Sequence, residues 1–140
     1  MIRYANELDI PGIKEIADSH KKELGFTNIA IIRDAQQHNQ IIIIEQDNIL
    51  VGFIRFRLRK DDVAVIYEIV VGPKRTGYGS QLIHHFIRIA GESNKQYIRL
   101  KCPIELAANS FYKKMRFHLI GSEVGKKREL NIWQYVINPS

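Results

Sequence analysis

Hydrophobic positions recur along the chain with two periods, one typical of helices and one typical of strands. The first helix is predicted after Asp9, a candidate N-cap, with Pro11 in the first turn and Gly25 at the end. Ile13 and Leu24 lie on its apolar face. The same helical spacing predicts three further helices: Arg33 to Gln37, Ser80 to Ala90 closed by Gly91, and Ala107 to Met115.

Runs of β-branched and aromatic residues between turn residues predict the strands. The predicted strands are Ile2 to Ala5, Ile41 to Gln46, Ile49 to Arg59, Val63 to Val71, Tyr97 to Lys101, Phe117 to Ile120 and Asn131 to Ile137. Short turns at Asp47-Asn48 and at Lys60 to Asp62 join three of them, which favours an antiparallel meander.

The segment after the meander has a different order, because a strand, a loop, a helix and another strand follow each other. Such a connection requires a crossover, so the strand at Tyr97 should lie parallel to the one that ends at Val71. The predicted fold class is therefore α/β with a mixed sheet: an antiparallel meander plus one parallel βαβ unit, with helices on both faces. We expect residues 1–140 to form a single domain.

Composition indicates a globular chain and limits the cellular compartments in which we expect it. Hydrophobic residues make up 45% and charged residues 26% of the 140 residues. The longest apolar run, Ile41 to Ile44, is far shorter than the ~20 residues that span a bilayer, and no signal peptide follows Met1. We therefore expect a cytoplasmic protein without a membrane partner. A single cysteine, Cys102, excludes an internal disulfide, and no His, Asp or Glu set has metal-ligand spacing.

The formal net charge of +6 favours partners that carry phosphate, although a merely solubilising charge explains it equally. The most informative candidate phosphate site is the loop from Gly72 to Gly79, which follows a strand and opens a helix. Gly77 and Gly79 free the backbone to approach a ligand, and the helix offers unpaired amides and a favourable dipole. A plain strand-to-helix turn with surface lysines is the alternative. The spacing matches neither a Walker loop nor a Rossmann fingerprint.

This loop resembles the signature of the GNAT N-acetyltransferase superfamily, in which Arg or Gln precedes two spaced glycines; here Lys74, Gly77 and Gly79 occupy those positions. The resemblance implies a GNAT-like acyl-CoA N-acyltransferase fold and acetyl-CoA as cosubstrate. This sequence departs from the signature in two ways. Lys74 stands where the family usually has Arg or Gln, and Pro73 lies directly before the motif, where the family usually has two more residues. The implied cofactor-binding residues are Ile69, Val70 and Val71 in the strand and Lys74, Arg75, Thr76, Gly77, Tyr78, Gly79 and Ser80 in the loop.

A second motif, Ala108 to Phe117, resembles the Ala-x-x-Phe-Tyr-x-x-x-Gly-Phe segment of the same family. The resemblance implies that Tyr112 protonates the leaving thiolate, whereas the bare pattern is typical of a core aromatic. Arg116 replaces the glycine that usually ends the helix. Glu105 stands where an asparagine often contacts the cofactor, and Asn109 is a candidate substitute.

A primary amine acceptor must lose a proton before it attacks, so a base or a water relay is expected. Glu68 is the candidate base, because family members often place a carboxylate in this strand; a paired or solvated strand carboxylate is the equal alternative. The oxyanion would meet a backbone N–H near Val70 or Val71. Cys102 as a nucleophile is disfavoured, since a lone cysteine is more often a small buried residue.

Two clusters of positive charge stay open to more than one interpretation. Arg55, Arg57 and Arg59 share one strand face, which indicates a solvated surface, an acidic acceptor or a contact with RNA. The Lys126 to Arg128 loop either borders the acceptor groove or is plain surface. The leading hypothesis is an acetyl-CoA-dependent N-acetyltransferase, monomer or homodimer, acting on a small-molecule or peptide amine. A coenzyme A-binding module without turnover is the alternative; a nucleic-acid-binding domain has only the charge in its favour.

Overall fold

The computed structural model describes residues 1–20, 27–72 and 76–137. These residues form seven strands in a mixed sheet of order β1-β2-β3-β4-β5-β7-β6. The strands are β1 (Ile2–Tyr4), β2 (Ile41–Gln46), β3 (Ile49–Leu58), β4 (Val63–Val71), β5 (Tyr97–Pro103), β6 (His118–Val124) and β7 (Glu129–Val136). The helices are α1 (Ile10–Ser19), α2 (Ile29–Gln37), α3 (Tyr78–Glu92) and α4 (Ala108–Lys114), with a 3₁₀ turn at Glu7–Asp9.

The chain divides into two compact units. The first unit contains Met1–Phe56 and Glu68–His85, and the second contains Arg57–Tyr67 and Phe86–Ser140. The prediction of one domain over residues 1–140 stays a prediction.

In the first unit, β2 pairs antiparallel with β1 and with β3, as the short turns predict. Asp47 and Asn48 both have positive φ, at 53° and 62°, which is the backbone of a tight hairpin turn. The helices α1 and α2 pack against each other, and their apolar faces join one buried cluster with β2 and β3. Ile13, Ile32 and Phe53 are at most 1% exposed in this cluster.

In the second unit, β4 pairs parallel with β5 from Val63 to Ile66, which confirms the predicted crossover. Strand β5 pairs antiparallel with β7, and β7 with β6. Ile98, Leu100 and Trp133 point into the buried side of this unit. The mixed sheet predicted from the order of elements is therefore confirmed.

Asp9 lies at the N-cap position of α1, as predicted. Asp9 makes no side-chain cap bond, because its carboxylate accepts hydrogen bonds from the Arg3 guanidinium at 2.7 and 3.0 Å and from the Asn6 N–H. Asn6 instead caps the 3₁₀ turn that leads into α1. Pro11 does lie in the first turn, as predicted. Leu24 and Gly25, the predicted end of this helix, lie outside the described residues.

Several further predicted boundaries differ from the structure. Helix α2 begins at Ile29 rather than Arg33, because the Asn28 side chain caps it by accepting from the Ile31 N–H at 2.9 Å. Helix α3 includes Tyr78 and Gly79 at its start and runs past Gly91 to Glu92. Strand β6 continues to Val124 because β7 pairs with it along that length.

Candidate active site

The glycine loop ends at the first turn of α3. Gly77 has φ +82°, a left-handed conformation that side chains rarely adopt, and it is exposed. The Gln81 N–H donates to the Gly77 carbonyl at 3.0 Å and so makes the first bond of the helix. The amides of Tyr78, Gly79 and Ser80 therefore precede the helical ladder and have no acceptor within it.

These features fit a diphosphate at the mouth of α3. The conformation of Gly77 turns the backbone, and a Cβ there would meet no atom of the described residues within 4 Å. Unpaired amides and the helix dipole both favour an anion. Thr76 is exposed at the edge of this loop. Lys74 and Arg75, predicted to add positive charge, lie outside the described residues.

The end of β4 lies against β3 at close range. The Gly72 N–H donates to the Val51 carbonyl at 2.6 Å. A Cβ placed on Gly52 would sit 2.8 Å from the Val70 carbonyl oxygen and 2.9 Å from Val71 Cγ1. Gly52, which the sequence pattern did not single out, thus allows the backbone of Val70 and Val71 to hold its position.

Replacement of Gly52 by Ala is expected to lower the free energy of unfolding by about 1–3 kcal/mol, because the new methyl group meets a backbone oxygen that cannot rotate away. Chemical denaturation measures the loss. Gly121→Ala is the matched control, since a Cβ there meets no atom of the described part of the chain within 4 Å, and its effect should stay within about 0.5 kcal/mol. Equal stability of the two variants would contradict the close packing of β3 on β4.

Glu68 is a buried carboxylate with two partners in the first unit. Its Oε1 accepts from Arg55 Nε at 2.5 Å, and its Oε2 accepts from Thr27 Oγ1 at 3.1 Å. Glu68 is 8% exposed and Thr27 is 7% exposed. The paired strand carboxylate, one of the two alternatives for this residue, is therefore present. A carboxylate has about four acceptor positions, so each oxygen retains room for a further donor such as water.

Tyr112 is 7% exposed in the second unit, and its ring packs against aromatic neighbours. The ring centroids of Tyr112 and Phe111 lie 5.6 Å apart with edge geometry, and Phe117 lies at 5.9 Å. Burial raises the pKa of the Tyr112 phenol well above its ordinary value, and Cys102 adds to the shift. The phenol therefore stays protonated through the neutral range, as a proton donor must.

The end of α4 positions this tyrosine. Arg116 has φ +71°, in the left-handed region where the related motif usually has glycine. The Phe117 N–H donates to the Tyr112 carbonyl at 3.0 Å, and the Arg116 N–H donates to Lys113 at 3.1 Å. The departure at Arg116 therefore changes the residue and keeps the turn.

Asn109 forms a structural network in the second unit. Its Nδ2 donates to the carbonyls of Pro103 at 2.9 Å and Leu106 at 2.8 Å. Its Oδ1 accepts from Trp133 Nε1 at 2.9 Å and from Asn131 Nδ2 at 3.0 Å. These bonds tie the start of α4 to β5 and β7. Cofactor binding by Asn109 stays a prediction, and the contacts that it makes are structural.

Cys102 is buried beside the Pro103 carbonyl at 3.6 Å. Burial, with a smaller contribution from Glu105, raises the pKa of its thiol to about 11. The thiol is therefore protonated at neutral pH, which fits a small buried residue rather than a nucleophile.

Cys102 is expected to react at least about tenfold more slowly with a disulfide reagent in the folded chain than in the denatured chain, because burial raises its pKa to about 11 and restricts access to the thiol. The chain has one cysteine, so absorbance from the released thiolate at pH 8 reports this residue alone. Equal rates in the two states would contradict the burial of the thiol.

The first positive cluster, Arg55, Arg57 and Arg59, is divided between the two units. Arg55 pairs with Glu68 in the first unit, whereas Arg57 and Arg59 are exposed in the second. In the second cluster, Arg128 forms an ion pair with Glu105 at 3.3 Å. Glu105 is the residue that stands where the related motif often has an asparagine.

No helix in the described part of the chain is both long and apolar enough to cross a membrane. Within the described ranges, no three His, Cys, Asp or Glu side chains group as metal ligands.

The candidate residues thus fall into two sets. Glu68, the strand from Ile69 to Val71, and the loop residues Thr76 to Ser80 belong to the first unit. Tyr112, Asn109 and Cys102 belong to the second. Thr27 and Gly52 are additions from the structure, because their partners lie far from them in sequence.

Residues 10–117 match the model of a family described as the Acetyltransferase (GNAT) family. No curated protein sequence matches the chain. Solved structures with the same fold include Ard1 from Thermoplasma volcanium, with a TM-score of 0.87, 23% identity, and coverage of 97% of this chain and 96% of that one. The structure of yncA from Salmonella typhimurium with its cofactor acetyl-CoA has a TM-score of 0.82, 18% identity, and coverage of 100% of this chain and 95% of that one.

N-acetylglutamate synthase from Neisseria gonorrhoeae, complexed with coenzyme A and N-acetyl-glutamate, has a TM-score of 0.86 and 18% identity over 99% of this chain. This chain spans only 35% of the length of that synthase. The fold predicted from the order of elements and from the two motifs is confirmed by these similarities.

Proposed function

Because the chain belongs to the GNAT acetyltransferase family, we propose that it transfers the acetyl group of acetyl-CoA to a primary amine. The observation that carries this proposal is the left-handed Gly77 at the mouth of α3, with the amides of Tyr78 to Ser80 beyond it. Acetyl-CoA in the yncA structure and coenzyme A in the synthase structure support the choice of cosubstrate.

The proposed cofactor contacts come from the backbone. Amides from Thr76 to Ser80 bind the diphosphate, with Lys74 and Arg75 adding positive charge. The strand from Ile69 to Val71 binds the pantetheine arm, and an N–H near Val70 or Val71 stabilises the oxyanion. Gly52 supports this role, because it lets β3 hold the backbone of that strand at van der Waals distance.

The proposed chemistry uses one proton acceptor and one proton donor. The amine attacks the thioester carbonyl directly while both substrates are bound, so a C–N bond forms and the C–S bond breaks. Glu68 accepts the amine proton through a water molecule, since both of its oxygens already have protein partners. Tyr112 donates its proton to the leaving sulfur and regains one from solvent. The raised pKa of Tyr112 keeps the phenol protonated at neutral pH.

Thermal melting tests cofactor binding. Acetyl-CoA at a hundred times its Kd adds about 2.7 kcal/mol to the stability of the folded chain, which raises Tm by roughly 5 °C or more. ATP at the same concentration is the control for a general attraction of polyphosphate to a basic chain. An equal rise with both nucleotides, or no rise with either, would contradict a specific coenzyme A site.

A thiol-release assay over a panel of amines and peptides tests turnover. An enzyme releases coenzyme A only when an acceptor amine is present. A coenzyme A-binding module without turnover shows the thermal shift and no amine-dependent release. The two assays therefore separate the proposed enzyme from its alternative.

A further inference from the structure

A wide groove lies on the second unit, and none of its lining residues has a role in the reaction proposed above. Its volume is about 930 Å³, the size of a site for a large ligand. Five cationic side chains and one carboxylate provide its charged lining: Arg57, Arg59, Lys60, Arg99, Lys101 and Asp61. The lining therefore has an excess of four positive charges.

Much of this charge is uncompensated. Arg99 Nε donates to Gln134 Oε1 at 2.7 Å, and that partner is neutral. The residues that the structure describes offer no partner to Arg57 or Lys60. Arg59 pairs with Asp61 at 2.6 Å, where both side chains are largely exposed. Exposed pairs contribute little, so an incoming anion can compete for such a cation.

Lys101 makes the other ion pair in the lining, with Glu123 at 2.7 Å, and both of these side chains are also exposed. The same competition therefore applies at this end of the groove. Taken together, the charged lining offers several sites for an anion, and none of them requires breaking a buried contact.

Between the charges the groove has an apolar floor. Val65, Tyr67, Ile120 and Ile132 line it, and Tyr67 and Ile120 are 47% and 49% exposed. The lining comes from strands β3, β4, β5, β7 and β6 and from the turn between β3 and β4. Four strand spacings of ~4.8 Å give a width of about 19 Å, which an extended peptide of roughly six residues spans.

We propose that this groove binds a carboxylate-rich peptide segment and that this segment carries the acceptor amine. The second half of the proposal, that the segment carries the acceptor amine, rests on the proposed function. The first half, that the groove binds the segment, does not. Carboxylates match the excess positive charge, and aliphatic side chains of the peptide match the floor. Single-stranded nucleic acid is disfavoured, because successive bases need successive aromatic platforms, and Tyr67 is the one aromatic side chain among the described lining residues.

Fluorescence anisotropy with two labelled hexapeptides tests the first half. The probes are Ala-Glu-Val-Asp-Glu-Val and its amide counterpart Ala-Gln-Val-Asn-Gln-Val, each with a blocked N-terminus so that binding is measured without turnover. We expect the acidic probe to bind at least about tenfold more tightly than the amide probe, and the difference to shrink as the salt concentration rises. Equal affinity for the two probes, or no binding of either, would overturn the proposal without any need for a variant.

Charge-removing variants locate the site. Arg57→Gln and Arg99→Gln should each weaken binding of the acidic probe by about five- to tenfold. Arg33→Gln removes the same charge from an exposed position of α2 and should leave the affinity unchanged. Equal losses in all three variants would mean a general attraction to a basic chain and would overturn the groove assignment. Binding of a short oligouridylate in place of the acidic probe, weakened by the groove variants, would overturn the choice of a peptide.

Acetylation of the same peptides with free N-termini tests the second half. The acidic peptide should have the lower KM, and Arg57→Gln should raise that KM with little change in kcat. If blocked acidic peptide binds and acetyl-CoA stabilises the chain, yet the free peptide is not acetylated, the acceptor half is overturned. Failure of acetyl-CoA to stabilise the chain would refute the proposed function instead, and the anisotropy result would still decide the groove.

Discussion

Replacement of Tyr112 by Phe is expected to lower kcat for thiol release by about 100- to 10,000-fold, the usual contribution of a positioned general acid. The substitution keeps the ring that packs against Phe111 and Phe117 and removes only the hydroxyl. Because the ring contacts persist, the Kd for acetyl-CoA should change by no more than about twofold. Steady-state release of coenzyme A, with Kd measured by calorimetry, checks both expectations.

The buried position of this phenol adds a prediction about pH. Its pKa lies above the ordinary tyrosine value of about 10, so the wild-type rate should not fall between pH 7 and pH 9 through loss of the Tyr112 proton.

A Tyr112→Phe variant whose kcat is within about threefold of the wild-type kcat would contradict the donor role. Tyr112 would then be a core aromatic, which was the alternative from its sequence pattern.

The second large effect is expected at Glu68. Glu68→Gln should lower kcat/KM by about 100-fold, because the amide cannot take the amine proton. It should also lower the free energy of unfolding by about 1–3 kcal/mol, since the half-buried Arg55 loses its charged partner. Activity measured across pH is the decisive readout. The variant rate should keep rising with pH as the acceptor amine loses its proton unaided.

Thr27→Val is the matched control for this prediction. It removes one hydrogen bond to the same carboxylate and leaves the Arg55 pair intact, so it should cost about 1 kcal/mol of stability and only a small part of the rate. If Glu68→Gln loses stability and keeps full activity, the carboxylate is a structural tie between β3, β4 and Thr27, and the base must be sought elsewhere.

Strands were the most predictable part of the fold. Ile41–Gln46 and Val63–Val71 match the structure because a continuous β-branched run is bounded by clear turn residues on both sides. Helix starts were less predictable. Gly79 has a low helix propensity and was predicted to lie in the loop, yet it lies within the first turn of α3, where the helix requires little from its side chain.

Some features of the candidate site depend on neighbouring residues in the sequence, and others depend on residues far away in the sequence. Gly77 and the turn after Tyr112 are local features, so a spacing of a few residues was enough to find them. The partners of Glu68 lie 13 and 41 residues away, and no local pattern indicates which arginine or threonine will reach a carboxylate. Gly52 is required by a carbonyl on the neighbouring strand, a contact that depends on how β3 and β4 pair.

The most direct test of the phosphate site is a ¹H–¹⁵N NMR titration of the chain with acetyl-CoA and, separately, with acetyl-pantetheine, which has the thioester arm and no diphosphate. Binding of the diphosphate by the backbone predicts large shifts of the amides of Gly77, Tyr78, Gly79 and Ser80 with acetyl-CoA and small shifts with acetyl-pantetheine. Unchanged amides with saturating acetyl-CoA, or equal shifts with both compounds, would contradict it.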